Sequence, residues 1–184
     1  MNYEVTPMFP SDPASDQSAA SDTESAAYDM ALRMLASRAM SSGKLRERLK
    51  QREVERDVAD AVVQRVIDAG YLNDQDFAAS AIERLRTRKK LGDAALRQEL
   101  VKLGVRSVDA EEALRDHSVD DETDLALEAA RERAPRLRSL DRETAERRLF
   151  GFLQRRGHGG GNASRAVRTA LDEVTGARRR VSFE

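Results

Sequence analysis

Apolar residues recur along the chain with the spacing of amphipathic helices, and this pattern is itself repeated. A pair of leucines four residues apart places both side chains on one face of a helix. Three such pairs stand at Leu45 and Leu49, Leu96 and Leu100, and Leu149 and Leu153. The first two pairs lie 51 residues apart and the last two lie 53 apart. Self-similarity at a nearly fixed period is typical of repeat proteins, so the sequence predicts three related helical units.

Further apolar stripes flank each leucine pair and predict three short helices per unit, with no strand. Short helices are marginal in isolation, so the helices of a unit must pack on one another, with stability shared between neighbouring units. Pro135 should kink or end the first helix of the third unit. The predicted fold is all-α, an elongated array of three tandem three-helix repeats at residues 28–72, 73–119 and 120–176.

The junction between the first two repeats, AGYLNDQDFA at residues 69–78, combines a helix end with a helix start. Gly70 can adopt the left-handed conformation that ends a helix. Tyr71 and Leu72 can then fold back on the last apolar turn, and the following Asn-Asp pair can cap the next helix. Phe77 begins the apolar face of that next helix.

The junction and the segment LASRAMSSGKLRERL at residues 35–49 resemble the RecX family of bacterial recombinase regulators. The resemblance rests on the GYLND-xx-FA motif, on the preceding segment and on the repeated three-helix pattern. It covers roughly residues 28–174 and is strongest in the first two repeats. One departure is His158, because RecX-like sequences usually carry an aromatic residue after the RRG motif.

Charge is distributed unevenly along the chain. Residues 1–27 contain five acids and no Lys or Arg, which together with their Ser, Ala and Pro content predicts a disordered acidic tail rather than a signal peptide. The total charge of −1 therefore hides a charge of +4 on residues 28–184. Residues 131–168 alone carry eleven Arg and four acids, and residues 177–184 form a basic C-terminal tail.

No residue pattern predicts catalysis, a metal site or a cofactor. The chain has no cysteine, which excludes disulfides and thiolate ligands and favours a cytoplasmic location. Its two histidines, His117 and His158, lie in different repeats without companion ligands. The glycine-rich segment at residues 157–162 lacks the lysine and the preceding strand of a phosphate loop, so we interpret it as a flexible loop. We expect neither an enzyme nor a membrane-spanning segment.

Basic residues are the most informative polar feature. A charged run is often only a solvated helix face, but here such runs recur at the ends of successive units, which favours an anionic partner. Few aromatic residues lie outside the apolar stripes, so a base-stacking platform is not expected. The candidate partner-binding residues are Arg38, Arg84, Arg86, Arg88, Lys89, Lys90, Arg155, Arg156 and Arg168.

The resemblance implies a regulatory protein. RecX-like proteins bind the RecA recombinase and its filament on single-stranded DNA, and they inhibit ATP hydrolysis, filament growth and strand exchange. The implied role is regulation of DNA repair, of homologous recombination and of the SOS response. We expect a monomer whose partner is the recombinase filament, with single-stranded DNA reached through it. The alternative is a direct DNA-binding helical module, because each three-helix unit is similar to helix-turn-helix domains.

Overall fold

The computed structural model describes residues 13–117 and 121–181, and every regular element in these ranges is a helix. The α-helices are α1 (Pro13–Ser37), α2 (Ser42–Lys50), α3 (Arg56–Asp68), α4 (Asp74–Lys89), α5 (Asp93–Lys102), α6 (Ser107–Asp116), α7 (Asp121–Arg133), α8 (Arg142–Arg155) and α9 (Gly160–Val181). A short 3-10 helix at Ala134–Leu137 contains Pro135 and separates α7 from α8, as the sequence predicted. The predicted all-α fold is confirmed.

The chain forms two compact units, Met1–Asn73 and Asp74–Glu184. In the first unit α1 and α2 pack on α3. Its core contains the fully buried leucine pair of α2, Leu45 and Leu49, against Val62 and Val66 of α3. These side chains share helix faces at the spacing that the sequence showed, and their mutual burial stabilises helices too short to stand alone.

The second unit contains two separate apolar cores. The first core joins α4, α5 and α6 around Leu96 and Leu100. The second joins α7, α8 and α9 around Leu149 and Leu153. In this second core the buried face of α7 is made of alanines, which allow α9 to approach it closely.

The second helix of each repeat ends in the same hydrogen-bonded turn. In each turn the N–H of one residue donates to the carbonyl of the second leucine of the pair, at 3.0–3.1 Å: Val54 to Leu49, Val105 to Leu100, and His158 to Leu153. The preceding residue has a positive φ in all three copies: Glu53 at 63°, Gly104 at 86° and Gly157 at 85°. This is the Schellman helix end, and its recurrence shows the repeat at the level of the backbone.

The junction after α3 is also a Schellman end. Gly70 has a φ of 74° and its N–H donates to the carbonyl of Ile67, while the N–H of Tyr71 donates to that of Val66. Leu72 is buried in the first core, as predicted. The expectation for Tyr71 is wrong, because its side chain is 61% exposed. Phe77 packs against the core of α4, α5 and α6.

Two helices extend further than the sequence predicted. α1 begins at Pro13, so residues 13–27 are helical where disorder was expected; residues 1–12 lie outside the described residues. Proline suits a first helical turn, and the residues after it contain no breaker. α9 continues past Gly176 to Val181, because an interior glycine costs a helix only about 1 kcal/mol. None of the described helices is both long enough and apolar enough to cross a membrane.

Candidate partner-binding surface

The structure divides the nine predicted partner-binding cations into two groups. Three of them, Arg86, Lys90 and Arg156, bind other parts of the second unit. The other six have exposed side chains: Arg38, Arg84, Arg88, Lys89, Arg155 and Arg168. All nine residues carry the same charge, so the sequence could not show which of them belong to which group.

Arg86 connects all three helices of the second repeat. From α4, its Nη2 donates to Oδ1 of Asp93 at 2.8 Å, and its Nη1 donates to the carbonyl of His117 at 2.6 Å. Asp93 begins α5 and His117 follows the end of α6. The Arg86 side chain is only 15% exposed, so its role is structural.

Lys90 connects the end of α4 to α7. Its Nζ lies 3.0 Å from Oε2 of Glu128 and 3.5 Å from Oε1 of Glu132. The hydrogen bond to Glu128 raises the pKa of Lys90 above its ordinary value, against a smaller lowering by desolvation. These two carboxylates stabilise the ammonium group and join the second repeat to the third.

Beside the Lys90 ion pairs, five residues of the second and third repeats make close contacts with one another. We call this group the inter-repeat clasp; it consists of Lys90, Gly92, Arg156, Gly157 and His158. The N–H of Gly92 donates to the carbonyl of Arg156 at 2.8 Å, and Nε2 of His158 lies 2.7 Å from the carbonyl of Lys90. Since a carbonyl only accepts, Nε2 carries the proton. The Nη1 of Arg156 donates to the carbonyl of the neighbouring Lys89.

Sequence reasoning missed the clasp. We expected a flexible loop around His158, yet its side chain is 1% exposed. Gly92 and Gly157 approach so closely that a Cβ on Gly92 would lie 2.6 Å from the carbonyl oxygen of Gly157. The available signal was the pairing of these two glycines, but nothing in a linear pattern shows that residues 65 positions apart meet.

The exposed cations of the second repeat lie near the C-terminal end of α4. Arg84 and Arg88 are four residues apart, so they share one face of the helix. No ion pair joins either guanidinium to a carboxylate of the described residues. Like charges at this spacing destabilise a helix by about 0.2–0.5 kcal/mol. This face is suited to bind carboxylate or phosphate oxygens, for which the guanidinium fork is shaped.

Two arginines of the third repeat, Arg131 and Arg142, form ion pairs within it. Arg131 of α7 forms a bidentate pair with Glu173 of α9, and that hydrogen bond raises the pKa of Arg131 and lowers the pKa of Glu173. Arg142 bridges Glu146 and Asp172. Arg155 and Arg168 stay exposed. The cationic surface of this repeat is therefore smaller than its composition suggests.

The described part of the chain contains no group of three or more His, Asp or Glu side chains arranged to hold a metal ion. The side chains of Arg156 and His158 in the clasp bind backbone carbonyls of the second repeat.

Two protein-family models match the chain. The model of the first three-helix domain of RecX matches residues 27–65, and that of the second three-helix domain matches residues 73–114. The matched segments correspond to α1–α3 and α4–α6. The third three-helix group lies beyond both matches.

Curated relatives match over most of their length. The regulatory protein RecX of Streptomyces coelicolor is 32% identical over 142 residues, which cover 77% of this chain and 76% of the relative. That of Amycolatopsis mediterranei is 31% identical over 147 residues, covering 80% and 84%. The crystal structure of RecX from Lactobacillus salivarius has the same fold, with a TM-score of 0.74 at 19% identity over 83% of this chain and 98% of that chain.

Proposed function

This chain belongs to the RecX family of regulatory proteins, and from that premise we propose that it binds the RecA recombinase filament on single-stranded DNA and inhibits its ATPase, filament growth and strand exchange. It acts by occupying a surface of its partner rather than by chemistry. Its place of action is the cytoplasm, as a monomer, where it regulates DNA repair and recombination.

The observation that carries this proposal is the exposed cationic face of α4. Arg84, Arg88 and Lys89 are solvent-exposed at the end of one helix, while the neighbouring Arg86 and Lys90 fix that helix to the rest of the unit. A rigid helix that presents unpaired guanidinium groups is suited to an anionic partner surface. Arg38, Arg155 and Arg168 supply further contacts, and several weak contacts add up when one molecule engages successive protomers.

The test is inhibition of recombinase ATPase on single-stranded DNA by a double variant, Arg84→Glu with Arg88→Glu. We expect its half-inhibitory concentration to rise at least about tenfold, which corresponds to about 1.4 kcal/mol of binding free energy. The matched control is Arg136→Glu with Arg138→Glu, which reverses two exposed charges elsewhere in the same unit. A folded Arg84/Arg88 variant as potent as wild type would refute the role of this face.

The second candidate is direct DNA binding through the same face, which the unpaired guanidinium groups also favour. It predicts that the protein shifts bare single- or double-stranded DNA in gels without recombinase, and that the affinity falls steeply as salt is added. Tight recombinase-independent binding that is lost in the Arg84/Arg88 variant would support this candidate over the first.

A further inference from the structure

The first unit carries a second cationic feature, a groove between α1 and the end of α2. Its volume is about 430 Å³. Three arginines line it, Arg33 from α1, Arg48 from α2 and Arg52 just beyond α2, together with Met30 and Met34. We call it the arginine–methionine groove. None of these three arginines was among the cations that the sequence singled out.

Local structure accounts for only part of this arrangement. Arg48 lies in the last turn of α2, where a cation favours the helix dipole. Arg33 lies before the last turn of α1 and lines the same groove from another helix. Arg48 and Arg52 line the same groove, so their like charges repel each other.

The carboxylates of the first unit that form ion pairs in the described residues pair with cations outside the groove. Asp60 pairs with Arg46, Glu47 with Lys44, and Glu24 with Arg65. No carboxylate of the described residues forms an ion pair with a groove arginine. Three arginines therefore line one groove without an ion pair to a carboxylate of the described residues, and an anionic ligand would supply that partner.

The chemistry of the groove favours a peptide over a nucleic acid. Guanidinium groups bind carboxylates and phosphates alike. However, no aromatic side chain of the described residues lines the groove, so a base has no platform on which to stack. The half-buried Met30 and Met34 instead offer a polarisable, adaptable apolar surface of the kind that accepts varied aliphatic side chains.

We propose that the arginine–methionine groove is the docking site for an acidic segment of a protein partner, with one aliphatic side chain seated on the methionines between carboxylates held by the arginines. The identification of this partner as the recombinase rests on the proposed function. The binding of an acidic segment in the groove does not depend on it. The site lies in the first unit and is made of residues different from those of the α4 face.

The test measures binding of a fluorescein-labelled ten-residue peptide, made of glutamate and aspartate with one central leucine, to the full chain by fluorescence anisotropy. We expect Arg33→Glu and Arg52→Glu each to weaken binding at least about fivefold, since each removes one charge-assisted contact and adds a repulsion. Both side chains are exposed, so the fold should persist; Arg33→Gln and Arg52→Gln, which add no negative charge, should weaken binding in the same direction.

The control variant is Arg56→Glu, because the Arg56 side chain is 93% exposed on α3 and does not line the groove. It should weaken peptide binding less than either groove variant does, since it changes the net charge by the same amount but removes no side chain that lines the groove. A second peptide with serine in place of leucine should bind at least about threefold more weakly, since it lacks the aliphatic contact.

Unchanged peptide binding by the Arg33 and Arg52 variants would overturn the proposal. So would equal binding of the leucine and serine peptides. Groove-dependent binding of a ten-nucleotide oligothymidine in preference to the peptide would overturn it as well. The peptide measurement contains no recombinase, so it tests only whether the groove binds an acidic peptide. The proposed function is tested separately, by measuring whether the wild-type chain inhibits the recombinase ATPase.

Discussion

Two glycines and a histidine decide how the second and third repeats meet. Gly92 and Gly157 bring two backbone segments into direct contact. The side chain of His158 fills the space beside them, and its Nε2–H donates a hydrogen bond to the carbonyl oxygen of Lys90. The Nδ1 atom of His158 has no hydrogen-bond partner among the described residues. Space at this contact is therefore limited by backbone atoms and by the buried ring of His158.

Gly92→Ala should destabilise the protein by at least about 2 kcal/mol, because overpacking a close contact has a cost of this size. The new Cβ would lie 2.6 Å from the carbonyl oxygen of Gly157 and 2.7 Å from Nδ1 of His158. Urea unfolding measures the loss. The control is Gly159→Ala, two residues from Gly157, where an added Cβ meets nothing within 4 Å. Equal stability of the two variants would show that the clasp is not close-packed in solution.

The start of a helix is often marked by a single residue whose side chain caps it. The side chain of Ser41 accepts a hydrogen bond from the N–H of Lys44 at the start of α2, and that of Asp141 accepts from Thr144 at the start of α8. Serine and aspartate are both preferred at this position, because their side-chain oxygens accept from the free N–H groups of the first helical turn. The start of α5 differs, because Gly92, which has no side chain to cap with, holds the capping position and the following Asp93 pairs with Arg86.

The Asp141 cap should make stability depend on pH. The hydrogen bond from the backbone N–H of Thr144 is the largest cause that lowers the pKa of Asp141 in the folded protein. Because the folded pKa lies below the unfolded value of about 3.9, the carboxylate stabilises α8 above that pH, and the contribution is lost as the pH falls toward the folded pKa. Thermal unfolding between about pH 5 and pH 2 measures it.

Asp141→Asn is the matched variant, since asparagine also caps a helix but does not titrate. It should be slightly less stable than wild type at neutral pH and should lose less stability on acidification. Parallel pH profiles for the two proteins would contradict a titrating cap at this helix end.

At the scale of the whole molecule, the second unit holds two cores that polar contacts join. The Lys90 pair with Glu128 and Glu132, together with the inter-repeat clasp, connects the core of α4–α6 to that of α7–α9. A three-helix unit near 45 residues buries only a modest share of its surface. We infer that the two repeats stabilise each other.

A fragment of residues 74–184 should therefore fold without the first unit and unfold in one cooperative transition in urea, followed by circular dichroism at 222 nm. A shorter fragment of residues 74–117 keeps one core but loses the clasp and the partners of Lys90, so it should be markedly less helical. Two separate transitions in the longer fragment, or equal helicity per residue in the shorter one, would show that the repeats fold independently.

Local signals in the sequence determined the helices and their repeat. The leucine pairs mark the buried face of each second helix because one face recurs every three to four residues. Gly70, Ser41, Asp141 and Pro135 mark helix ends because each acts through its own backbone conformation or a hydrogen bond only a few residues long. Such effects can be predicted from neighbouring residues alone.

Only the tertiary structure decided which charges are available to a partner. Arg86 reaches a carbonyl 31 residues away and His158 one 68 residues away, while the arginines of the groove come together from two helices. A cation in a sequence carries the same charge whether it is paired or free, and its partner is set by how the helices pack. The sequence by itself determined the helical repeats and the excess of basic residues, whereas packing determined which of those residues hold the protein together and which face outward.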